Sequence, residues 1–191
     1  MIYLTGASGF LGSSIYKALN NQEDCICLTR RKDLNNKTNF YCDLSQSQPS
    51  FPIVNSPSVL IHCASLIKGS KKTLYKTNVE GTRKIVQWAL ESNIRKIIYI
   101  SSLDVETSQT HYSNTKKKAE DIIKQSKISY CIIRPAIIFG KNDKKNITLL
   151  YNIIKKSPIL FVPNNGDFFW QPVHVDDCVN LILQESKSIH S

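Results

Sequence analysis

Thr5-Gly6-Ala7-Ser8-Gly9-Phe10-Leu11-Gly12 follows the apolar opening Met1-Ile2-Tyr3-Leu4 and leads directly into a helical pattern. An apolar strand, a glycine turn and a helix start make an anion site. Glycine lets the backbone turn sharply and approach a ligand, and the free amides and dipole of the helix start favour negative charge. Such a turn suits the pyrophosphate of a dinucleotide. The glycines are spaced G-x-x-G-x-x-G, one residue away from the G-x-G-x-x-G of ordinary dinucleotide folds. No Gly-Lys-Ser/Thr follows, so the turn is not a mononucleotide P-loop. A plain strand-to-helix loop also uses glycine to turn, and the rest of the chain must decide between the two.

At 191 residues the chain suits one domain, or one domain and part of a second. Hydrophobic residues at 41% and charged residues at 21% are globular values and exclude a mainly disordered chain. Met1 to Leu4 is too short for a signal sequence and lacks basic flanks, and no apolar run reaches bilayer length, so a cytoplasmic protein with no membrane partner is expected. The six cysteines, Cys25, Cys27, Cys42, Cys63, Cys131 and Cys178, lie mostly in apolar runs without C-x-x-C spacing. They read as buried free thiols, and no metal site is expected. The net charge of +10 is spread over short groups such as Lys71-Lys72 and Lys116-Lys117-Lys118. These read as solvated faces that help attract an anionic ligand; nucleic-acid binding ranks last because no stacking motif accompanies them.

Beyond the glycine turn, Phe10, Leu11, Ile15, Ala18 and Leu19 recur at helical spacing, and Cys25 to Leu28 makes a second strand. Further strands are predicted at Phe40–Cys42, Val59–Ala64, Lys96–Ile100 and Tyr130–Ile133, with helices over Leu74–Ser92 and Tyr112–Ser126. This alternation predicts an α/β fold with a doubly wound parallel sheet and ligands at the carboxyl ends of the strands. Residues 1–140 form the dinucleotide-binding core and 141–172 a substrate cap with a short helix at Ile147–Ile154. Residues 173–191 return to the core as a strand and a helix. That leaves a small, incomplete substrate-binding part, as in a truncated chain or one with a minimal pocket.

Where the second strand ends, an NAD-binding fold places a carboxylate for the ribose hydroxyls. Here the chain reads Thr29-Arg30-Arg31-Lys32, so guanidinium groups stand where an extra phosphate would lie. Charge pairing therefore favours NADP over NAD, with Arg30 and Arg31 as the contacts. Asp33 could serve the ribose if the strand runs longer.

Tyr112 and Lys116 are one helical turn apart and share a face. A phenol is a poor base at neutral pH unless a neighbouring ammonium stabilises its anion, which this spacing permits. Ser102, ending the fifth strand, could hydrogen-bond the same substrate oxygen. Tyr112 would then take a hydroxyl proton while the carbon passes hydride to a nicotinamide.

Taken in order, Thr5–Gly12, Asp43-Leu44, His62-Cys63-Ala64, Asn78-Val79-Glu80-Gly81-Thr82, Ser101-Ser102, Tyr112-x-x-x-Lys116, Arg134-Pro135 and Val173–Asp177 span nearly the whole chain. With them the sequence resembles the extended short-chain dehydrogenase/reductase superfamily, specifically the NAD(P)-dependent epimerase/dehydratase family, whose core is a Rossmann-type sheet. The resemblance implies Ser102, Tyr112 and Lys116 as the catalytic set. It implies cofactor contacts from Gly6, Ala7, Ser8, Gly9, Phe10, Leu11 and Gly12, with Asp43 and Leu44 at the adenine. Further contacts are implied for Cys63, Ala64, Ser65, Asn78, Ile100, Tyr112, Lys116 and Pro135, the last near the nicotinamide. It also implies a homodimer through the helices at Leu74–Ser92 and Tyr112–Ser126. Substrate is the less defined part: Leu103-Asp104-Val105-Glu106 replaces the Val-Tyr-Gly common in nucleotide-sugar enzymes, and Trp170-Gln171-Pro172 stands where many of them carry an arginine. The leading expectation is an NADP-preferring oxidoreductase, epimerase or dehydratase acting on a small molecule, a nucleotide sugar first. The alternative is a cofactor-binding scaffold without turnover. His174 and His111 read as structural and helix-start residues respectively, not as catalytic ones.

Overall fold

A computed structural model describes residues 1–19, 25–31, 38–143, 147–157 and 171–188. Lys32, Asp33, Lys144, Lys145, Trp170 and the cap loop from Pro158 to Asp167 lie outside the described residues. The elements are β1 (Ile2–Thr5), α1 (Phe10–Leu19), β2 (Cys25–Thr29), β3 (Asn39–Tyr41), β4 (Ser58–His62), α2 (Lys71–Leu74) and α3 (Gly81–Leu90). They continue with β5 (Ile94–Ile100), α4 (Asp104–Thr107), α5 (His111–Lys124), β6 (Ser129–Ile133), β7 (Ile138–Phe139), α6 (Ile147–Lys156), β8 (Val173–His174) and α7 (Val175–Lys187).

The main sheet has six parallel strands in the order β3-β2-β1-β4-β5-β6. Its strands are apolar on both faces, and their alternation sends successive side chains to opposite layers. Tyr3, Leu60, Ile97 and Tyr99 pack with Ile85, Ala89, Ala119 and Ile123, the layer of α3 and α5. Leu4, Ile61, Ile98 and Ile100 pack with Leu11, Ile15, Val179 and Ile182, the layer of α1 and α7. Helices therefore cover both faces, and the chain reverses direction across the sheet between β1 and β4. A crevice opens beyond the carboxyl ends of strands at such a reversal, which places the glycine turn and residues 63–66 at its edge.

Two elements depart from the sequence expectation. The helix expected from Leu74 runs without a break in helical backbone from Lys71 to Leu90, but Tyr75–Glu80 is wound more widely, with the Gly81 amide bonding the Lys76 carbonyl five residues back. Buried Asn78 lies inside this wide turn, and its side chain bonds Leu66 and Thr115, outside the helix. The pair β7 and β8, parallel through Ile138–Val173 and Phe139–His174, was unexpected at its first strand, which is only two residues long. All six cysteines are free, and Cys25 and Cys27 are both buried on one strand face.

Candidate active site and cofactor groove

The glycine turn is built by close contact. Gly6 has φ +74, open to glycine at little cost, and a Cβ there would lie 2.7 Å from the Ala64 nitrogen. A Cβ on Gly12 would lie 2.1 Å from the Gly6 carbonyl oxygen, so α1 starts directly against the turn. The Gly9 amide bonds the Gly6 carbonyl at 2.9 Å, and the first helical bond runs from Ser13 to Gly9 at 2.8 Å. The amides of Phe10, Leu11 and Gly12 lie ahead of that bond, where a helix presents unpaired donors to an anion.

Beside the turn is a groove of about 260 Å³. Gly6, Ala7, Ser8 and Gly9 line one wall; Arg30, Asp43 and Leu44 line the end beyond β2; and Cys63, Ala64 and Ser65 line the wall after β4. Thr5, Leu28, Thr29, Cys42, Ser45, Leu66 and Thr77 complete it; none of them was expected from the sequence as a cofactor contact, although most flank residues that were. Asp43 lines the groove and also caps its own turn, accepting from the Ser45 amide at 2.9 Å and the Ser45 hydroxyl at 2.7 Å. Arg31 is not among the lining residues; its amide donates to Thr29 Oγ1 at 3.1 Å. Leu11 is buried in the core and is not among the groove-lining residues.

Lys116 lies inward. Its ammonium donates to the Ile100 carbonyl at 2.5 Å, stands 4.1 Å over the Tyr99 ring and is 1% exposed. Loss of solvent pushes its pKa down to about 7, against the opposing pull of the Cys63 thiol and the Glu120 carboxylate. Tyr112, half-buried at the start of α5, has its pKa raised, first by burial; a hydrogen bond with Ser65 works the other way and the Asp104 charge adds to the rise. In the free protein desolvation is the largest influence on the phenol, and the Lys116 ammonium donates to the Ile100 carbonyl.

Ser102 Oγ accepts from the amide of Asp104, the first residue of α4, at 3.3 Å. Its neighbour Ser101 donates to Glu120 Oε1 at 2.6 Å. Glu120 is 1% exposed, extends the Tyr112–Lys116 face by one turn, and is held by Arg134 at 2.8 and 2.6 Å. Arg134 also pairs with Glu106, and the Pro135 carbonyl accepts from the Leu103 amide at 3.0 Å. Arg134-Pro135 thus braces the corner carrying Ser102. Asn78, expected at the cofactor, is 1% exposed and spends both side-chain protons within the protein, on the Leu66 carbonyl and Thr115. His174 caps α7, accepting from the Asp176 amide at 3.3 Å, and His111 is exposed at the start of α5. Among the described residues no cluster of three metal-ligating side chains occurs and no helix is long and apolar enough to cross a membrane.

The arrangement fits a dinucleotide on its own features: a cradle that a Cβ would fill, helix-start amides for phosphates, and a cation at the far end. The comparisons agree. Residues 2–188 match the profile of the NAD dependent epimerase/dehydratase family. UDP-glucose 4-epimerase of Vibrio cholerae is 28% identical over 187 residues, covering 81% of this chain and 57% of the relative. Ceramide reductase of Caulobacter vibrioides is 28% identical over 186 residues, covering 93% and 58%. The chain thus spans little more than half the length of these relatives. Among solved structures, MoeE5 in complex with UDP-glucuronic acid and NAD superposes with a TM-score of 0.81 at 19% identity, covering 100% of this chain and 73% of that one. A short-chain dehydrogenase/reductase superfamily protein of Agrobacterium tumefaciens with bound NAD gives 0.78 at 16%, covering 98% and 74%. Fold, cradle and profile converge, and the chain belongs to the NAD dependent epimerase/dehydratase family.

Proposed function

We propose that the chain carries the cofactor-binding and catalytic part of an oxidoreductase, epimerase or dehydratase that exchanges hydride at a hydroxyl or ketone carbon. The observation that supports this most is the glycine cradle set in one groove against the wall after β4, with Gly6 packed on the backbone of Ala64. Bound in the groove, a nicotinamide dinucleotide supplies the hydride exchange that no side chain can provide. Gly6–Gly12 hold its phosphates. Asp43 and Leu44 flank the adenine end, and Arg30, at the end of β2, favours NADP over NAD by pairing with an additional phosphate. Tyr112 takes the substrate hydroxyl proton, Ser102 orients that oxygen, and Lys116 supplies positive charge behind the phenol.

A nucleotide sugar is the first substrate class to test, since the Vibrio relative is a UDP-glucose epimerase; the Caulobacter relative is a ceramide reductase, and a bovine relative is a sterol-4-alpha-carboxylate 3-dehydrogenase 24% identical over 188 residues. Lipid alcohols therefore form the second panel. For the homodimer implied by the resemblance, the helices that would meet expose Lys76, Lys117 and Lys118, so association should strengthen as salt screens them. Sedimentation at low and high salt tests this. The scaffold reading draws on the raised phenol pKa and the inward ammonium. Tyr112→Phe separates the two: an enzyme loses about 10²- to 10⁴-fold in product formation while keeping cofactor binding, whereas a scaffold has no turnover to lose.

A further inference from the structure

The connection from β3 to β4, residues 42–57, carries no strand or helix, and its first residues form one end of the cofactor groove. One face of α3 holds it. Gly81, Lys84 and Trp88 follow one another at helical spacing, so their positions fall in a row along the helix. At the far end of the row Trp88 stacks on Phe51, ring centres 5.1 Å apart, and its indole donates to the Pro52 carbonyl at 3.1 Å. Neither Phe51 nor Pro52 lines the groove, so this end serves the return of the chain to β4.

At the near end the contacts reach the lining itself. Asp43, Leu44 and Ser45 line the groove from a turn that the Gln46 amide closes on the Asp43 carbonyl at 3.0 Å. On this turn the Lys84 ammonium donates to the Leu44 carbonyl at 3.5 Å and to the Gln46 carbonyl. A Cβ on Gly81 would lie 3.1 Å from the Leu44 Cβ, so the missing side chain lets Leu44 seat directly on α3. Leu44 is 7% exposed, packed against the helix and still part of the groove wall. A lysine that serves only solubility keeps its ammonium in water. This one is partly buried and spends its protons on the main chain of the turn, in bonds that its charge makes roughly twice as strong as neutral ones.

We propose that Lys84 is a positioning residue for the adenosine end of the cofactor: together with Gly81 it holds the turn Asp43–Gln46 at the depth where Leu44 meets the adenine. The inference rests on the adenosine end lying at this turn, as in the function proposed above. Neither Lys84 nor Gly81 lines the groove, and both act through the turn.

Calorimetric titration with ADP, NAD and NADP tests this without a substrate. Lys84→Met should weaken all three by the same factor, about tenfold, and Lys84→Arg should recover most of the loss. Gly81→Ala changes no charge and should weaken them in the same direction, which separates support of the turn from attraction of an anion and supplies a reading if Lys84→Met does not fold. Unchanged ADP affinity in Lys84→Met, a loss that Lys84→Arg does not recover, or a loss several times larger for NAD than for ADP overturns the proposal; the last is the mark of general loosening of the groove. Leu44→Ala, at the lining itself, tells the two readings apart. If it weakens ADP while Lys84→Met and Gly81→Ala do not, the adenosine end stands and the role of Lys84 falls. If ADP does not bind, or binds regardless of Leu44→Ala, the reading of the groove fails and this proposal with it.

Discussion

Gly12→Ala inverts an ordinary rule. Inside a helix, alanine is more favourable than glycine by about 1 kcal/mol, so the change should stabilise α1. At this position the new methyl would lie 2.1 Å from the Gly6 carbonyl oxygen and 2.7 Å from the Gly6 carbonyl carbon, both backbone atoms that cannot rotate away. Ordinary van der Waals contact begins at 3.4 Å, so helix and turn must part by more than an ångström. Overpacking of that kind costs about 1–3 kcal/mol or more. Taking about 2–3 kcal/mol net, and about 2–4 °C per kcal/mol for a chain of this size, the melting temperature falls by about 4–12 °C. Gly9→Ala is the internal control, since its methyl would meet the same oxygen at 3.3 Å. Differential scanning calorimetry with and without added dinucleotide reads both effects. Gly12→Ala should lose stability and ligand-induced stabilisation together, with Gly9→Ala the milder in melting. A Gly12→Ala protein that melts higher than the parent would refute the close-packed cradle.

The remaining predictions concern buried charge and cofactor choice. Lys116 has its pKa lowered from 10.5 to about 7, so between those values the unfolded state holds a proton that the folded state lacks, and stability rises with pH. Lys116→Met should therefore raise the melting temperature most below pH 7 and progressively less towards pH 10; a pH-independent difference contradicts this. Glu120 is pushed up by burial, but bonds from Arg134 and Ser101 and the charges of Arg134 and Lys124 outweigh this, and its pKa is lowered. Its contribution is present above the unfolded value of 4.5 and is lost as pH falls through the folded one. Glu120→Gln should cost about 2–3 kcal/mol at neutral pH, less than a fully buried pair because the Arg134 side chain is 31% exposed, with the gap closing in acid denaturation. Arg30→Ala should weaken NADP binding about tenfold and leave NAD binding nearly unchanged by calorimetric titration; equal loss for both would remove Arg30 from phosphate recognition.

Much of this architecture is legible in local pattern. The glycine turn, the runs Val59–Ala64 and Lys96–Ile100 and the face shared by Tyr112 and Lys116 follow from spacing, because strands alternate and helices repeat on short periods. Long-range hydrogen bonding carries no such period. Asn78 reads as a helix residue facing a ligand, yet its partners Leu66 and Thr115 are 12 and 37 positions away, and it sits inside the wide helical turn. The inward course of Lys116 is equally hidden, since it depends on the Ile100 carbonyl and the Tyr99 ring on a neighbouring strand. The two-residue β7 is too short to show alternation at all.

The most direct measurement is a crystal structure of the protein grown with NADP. The account predicts phosphates on the amides of Phe10 to Gly12, the additional phosphate beside Arg30, and the nicotinamide ring against the Tyr112 hydroxyl. A dinucleotide bound elsewhere, or one whose nicotinamide end turns away from Tyr112, would contradict it.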